Sequence, residues 1–130
     1  MGAWGIGPFD NDDAQDFVLD LADVPDDELA RRLAEALALP SGYLEVPEAS
    51  IAVAAAALVA VGAGMAPPES PTVCEFMANR SVPTTTALRE AAKAALDRVA
   101  SQDSELWELW QDAGEADQVL ASHEAINGRL

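Results

Sequence analysis

A chain of 130 residues with 23 acidic groups against 7 basic ones carries a net charge of −16. The length fits one ordinary domain that buries a core without staples. The charge repels phosphate backbones and argues against direct nucleic-acid binding. Ala, Leu and Glu dominate while strand-type runs of Val, Ile, Thr and Tyr are almost absent, so the composition predicts an all-α fold.

An N-terminal segment, residues 1–9, precedes the first periodic stretch. Ala14, Phe17, Val18 and Leu21 then recur at i, i+3, i+4 and i+7, which predicts an amphipathic helix from Asp10 or Asn11 to about Ala22. In "VPDDELARRLAEALALP" Pro25 stands at or just before a second helix, Asp26 to Glu28 suit its positive end, and Leu29, Leu33, Ala36 and Leu37 face inward. Pro40 and Gly42 end it. "EVPEASIAVAAAALVAVGAG" is apolar nearly all round and predicts a buried central helix, opened by Pro47 and closed at Gly62 or Gly64.

"MAPPESP" reads as a loop and "PTVCEFMANR" as a short helical segment. "TTTALREAAKAALDRVA" predicts a long helix with Leu88, Ala92, Ala95, Leu96 and Val99 on one face. "SELWELW" is a short helix, and Gly114 separates it from a last one, "EADQVLASHEAINGRL". The whole, residues 1–130, is expected to be a single helical domain of six or seven helices around the alanine-rich one.

The longest apolar run, Ile51 to Ala66, is shorter than the roughly 18 to 20 residues that span a bilayer. No membrane partner is expected. The start shows no basic stretch followed by an apolar one, so a cytoplasmic location is the expectation. Cys74 is the single cysteine and excludes an intrachain disulfide. Nothing specifies an oligomeric state.

Gly5-Ile6-Gly7 invites comparison with a phosphate loop, but no strand precedes it and Asp10, Asp12 and Asp13 would compete with the anion. A calcium loop opened at Asp10 fails as well, placing Gln15 where glycine belongs and Leu21 where a bidentate Glu belongs. The local pattern is better explained structurally. Trp4 and Phe9 anchor the segment, Asp10 or Asn11 caps the helix, and Asp12 and Asp13 complement its dipole.

Asp12, Asp16 and Asp20 then fall at i, i+4 and i+8 with Asp23 just beyond. Like charges at this spacing cost about 0.2 to 0.5 kcal/mol per pair, so either a cation beside them or plain solvation is expected. The candidates are Arg31, Arg32, Arg89 or Lys93, a partner, or a metal.

His123 shares the apolar spacing of Leu120 and Ile126 and is expected to be partly buried and hydrogen-bonded. Trp107 and Trp110, at i and i+3, are expected to pack into the core. One His and one Cys cannot build a structural zinc site, and a Cys74–His123 nucleophile pair would require the fold to bring the two together. No resident metal or cofactor is called for, and no residue is singled out as catalytic.

"GAWGIGPFDNDDAQDF" and "SELWELW", separated by an alanine-rich helical middle, resemble the bacterial family called domain of unknown function 4259. The start matches a Gly-Ala-Trp-Gly-x-Gly-x-Phe-Asp-Asn-Asp pattern at every fixed position from Gly2 to Asp12. The resemblance implies a small helical cytoplasmic protein and supplies no activity, cofactor or catalytic residue.

Two functional expectations follow. The first is a non-enzymatic interaction module whose carboxylates at Asp12, Asp16, Asp20 and Asp23 meet a basic protein, with toxin neutralisation or nucleic-acid mimicry as one concrete form. The second is a small metal-dependent enzyme or metal-binding protein that uses Asp10, Asp12 and Asp16.

Overall fold

The computed structural model describes residues 5–130. Their order is α1 (Asp12–Leu21), α2 (Asp26–Leu37), α3 (Val46–Gly62), α4 (Pro71–Asn79), α5 (Thr86–Val99), α6 (Glu105–Asp112) and α7 (Ala116–Asn127). The fold is an all-α bundle, and the described residues contain no strand; an isolated bridge joins Leu44 and Ser104.

Helix α3 is the axis. Its alanines from Ala54 to Ala57, with Leu58, Val59 and Ala60, are all fully buried, and it touches α1, α2, α5, α6 and α7. Small side chains let neighbouring backbones approach from several sides, so packing rather than a single apolar stripe holds the helix in place. Gly64, at φ +116, lies just beyond the helix end in the conformation that favours glycine.

Side-chain oxygens cap four helix starts. Asn11, Ser70, Thr85 and Ser104 accept from the backbone N–H groups of Ala14, Val73, Leu88 and Trp107. The start of α3 is served from a distance: Val46 N–H donates to Glu105 Oε1 at 3.1 Å.

The bridge between Leu44 and Ser104 fixes α6 beside the α2–α3 connection. Leu44 N–H donates to the Asp103 carbonyl at 2.7 Å, and Glu105 N–H donates to the Leu44 carbonyl at 2.8 Å. Arg98 ties the same corner by donating to the carbonyls of Gly42, Gln102 and Asp103.

Candidate functional site

The N-terminal motif closes on itself. Asp10 Oδ2 accepts from Gly7 N–H at 3.0 Å while Asp10 N–H donates to the Gly7 carbonyl at 3.1 Å. A Cβ at Gly5 or Gly7 would stand 2.6 Å from that same Oδ2. The glycines therefore make room for a carboxylate of their own chain. Asn11, not Asp10, is the cap of α1.

Phe9 is buried in the core. Its carbonyl accepts from Gln15 Nε2 at 2.9 Å, and the same amide reaches Ser70 Oγ at 3.1 Å, joining the segment to the start of α4. Trp4, expected as the second anchor, lies outside the described residues.

With Ala14, Val18 and Leu21 buried, α1 turns Asp12, Asp16 and Asp20 to solvent, and Asp23 is exposed just past its end. The structure brings the row together without a salt bridge to it among the described residues, although Arg32 borders the same groove as Asp20. Pairing with an arginine or lysine is thus not formed among the described residues, and the four carboxylates are left to solvent, the other alternative. Arg31 is held by Glu28 and Glu35 on its own helix, and Arg89 donates to the Thr84 carbonyl.

The cation that serves α1 is Arg80, which the sequence reading did not single out. Its guanidinium donates to the carbonyls of Leu21, Ala22 and Val24 at 3.0, 3.1 and 2.6 Å and to Asp26 Oδ1 at 2.9 Å. It neutralises the negative end of the helix through its backbone and leaves the carboxylate row untouched. The flat guanidinium fork suits this multiple donation. Its contact 54 to 59 residues back along the chain could be sought only by asking what satisfies the last carbonyls of a helix without a basic final turn.

A second polar feature lies between α5, α6 and α7. His123 is only 7% exposed, with its ring edge-to-face against Trp110 at 5.8 Å between centroids. Its Nδ1 has no hydrogen-bond partner among the described residues, which corrects the expectation of a satisfied histidine. Desolvation lowers its pKa from 6.5 to about 4, so the ring is neutral at pH 7. Trp107 and Trp110 are both half-buried, and α6 has no fully buried residue, so the tryptophan stripe borders the core without entering it. Tyr43 is exposed and donates to Glu108 Oε2 at 2.9 Å. That bond holds the phenol proton and raises its pKa to about 12.

Cys74 is exposed on α4, its thiol donating to the Pro68 carbonyl at 3.4 Å. Among the described residues no three His, Cys, Asp or Glu side chains converge as a metal-binding group. Asp10, Asp12 and Asp16 therefore do not form a common donor set: Asp10 turns back to Gly7, whereas Asp12 and Asp16 face solvent.

These features define a class, a small acidic helical bundle with an outward carboxylate row and two inward-facing bases. The chain belongs to the family described as Domain of unknown function (DUF4259), whose model matches residues 2–122. Neither a curated protein nor a solved structure shows detectable similarity to it. No helix of the described residues is long and apolar enough to cross a membrane.

Proposed function

We propose that this protein is a non-enzymatic interaction module, bacterial and cytoplasmic, whose α1 carboxylates dock a basic partner protein. One observation carries the reading: Asp12, Asp16 and Asp20 on α1 and Asp23 just past its end are exposed and make no ion pair among the described residues. A row of like charges costs stability, so an external cationic surface is the complement that repays it. Neutralising a toxin or presenting a phosphate-like row to a nucleic-acid-binding protein is the concrete form this would take.

Affinity capture from native lysate at low and high salt tests the proposal. The expected result is a basic protein retained at low salt, released at high salt, and lost when Asp16, Asp20 and Asp23 become Asn. A partner insensitive to both changes, or no partner at all, contradicts it. The metal-dependent alternative finds no convergent donor set among the described residues.

A further inference from the structure

Beside the carboxylate row runs a groove of about 310 Å³ between α1 and α4. Val18 and Phe76 are buried at its floor, and Leu19 stands on its α1 side. Leu19 is 55% exposed, the most exposed large hydrophobic side chain among the described residues. It lies three residues after Asp16 and four before Asp23, so the helix surface sets an apolar contact beside these two carboxylates, whereas Asp20 turns towards α2.

Across the groove α4 contributes Glu75, also exposed. Arg80, at the end of the groove, is occupied by the α1 carbonyls and Asp26, and its side chain is only 13% exposed. It offers little to an anionic occupant.

Charge selects among the molecules that could cover this groove. A second copy, whose whole chain also carries −16, would be repelled, and an anionic lipid surface in the same way. A cationic segment is attracted. An apolar trough flanked by charges at helical spacing matches recognition of a helix in a groove, where an i, i+3/i+4 apolar stripe seats and the flanks read charge.

We propose that the α1–α4 groove docks a basic amphipathic helix of the partner protein, with its apolar stripe on Leu19 and Phe76 and its basic flanks on Asp16, Asp23 and Glu75. The inference rests on the reading of the row as partner-facing and adds the apolar half of the contact.

The test titrates the full chain at low salt with two synthetic peptides of equal positive charge. One is a Leu/Lys amphipathic helix and the other a Gly/Lys chain without an apolar stripe. Amide chemical shifts locate binding and calorimetry measures it. The amphipathic peptide is expected to bind more tightly and to shift amides of α1 and α4. Leu19→Gln should weaken it about tenfold, the size of one lost apolar contact, and leave the Gly/Lys peptide unaffected.

Leu120→Gln, at an exposed leucine on α7, should change neither. Asp16→Asn with Asp23→Asn should weaken both peptides. Equal affinity for the two peptides, or an inert Leu19→Gln, overturns the groove while leaving the acidic-row reading standing. Failure of both peptides to bind overturns both.

Discussion

Arg80 and His123 are two bases drawn inward in a strongly acidic protein, and their surroundings are opposite. Arg80, between α1 and α4, meets three carbonyls and a carboxylate. His123, among α5, α6 and α7, meets the edge or face of Trp110 and leaves Nδ1 without a partner. The first arrangement keeps a charge by replacing its water with oxygens. The second keeps a ring dry by keeping it neutral. One end of the bundle is therefore tied by polar bonds that persist across ordinary pH, and the other is held by packing that acid undermines.

The largest expected effect comes from cutting the tie. Arg80→Ala leaves the α1 carbonyls without their donor and loosens α4 from α1, a loss of about 3 kcal/mol in urea unfolding, the upper range for hydrogen bonds to a charged group. Arg80→Lys should recover only part of it, because an ammonium cannot span the fork. Full recovery by Lys would show that charge alone matters.

Acid probes the other end. The folded-state pKa of His123 is lowered from 6.5 to about 4, so the unfolded chain takes up the proton first. Its contribution is complete above about pH 6.5 and is lost as pH falls towards 4, amounting to about 3 kcal/mol. Unfolding midpoints across that window should fall for the native chain and much less for His123→Leu. Equal slopes would contradict the neutral, unpartnered ring.

A smaller effect tests the motif. Gly7→Ala should cost about 1 kcal/mol by displacing the Asp10 carboxylate and its hydrogen bond. In Asp10→Ala the same substitution should cost almost nothing more, a coupling that a double-mutant cycle reads directly. Additive losses would mean that Gly7 serves something other than Asp10. The smallest perturbation is spectroscopic. The chain has one tyrosine, so ultraviolet titration should find the Tyr43 phenol near 12 and see it fall towards its usual value of 10 in Glu108→Gln.

Periodicity made the architecture readable. The apolar repeats at Ala14, Val18 and Leu21 and at Leu88, Ala92, Ala95, Leu96 and Val99 are buried as their spacing requires, and the alanine-rich stretch is the axis. Prolines and glycines placed the breaks, with Pro25 preceding α2 and Gly64 following α3. What spacing could not convey are contacts between distant segments. Arg80 on the α1 carbonyls, Gln15 on Ser70, and the Leu44–Ser104 bridge each need the assembled bundle. The α1 row was legible because one helix writes it. Its lack of an ion pair among the described residues was not, since that depends on where every arginine and lysine settles.

The central claim is that this row serves a partner and not the fold, and stability measures that directly. Changing Asp16, Asp20 and Asp23 to Asn removes like-charge repulsion and negative charge near the carboxyl end of α1. The expected variant is about 1 kcal/mol more stable at low salt, with the gain shrinking as salt rises, together with loss of the basic partner. A variant less stable than the native chain would show that these carboxylates are bound within the protein, and would contradict the account.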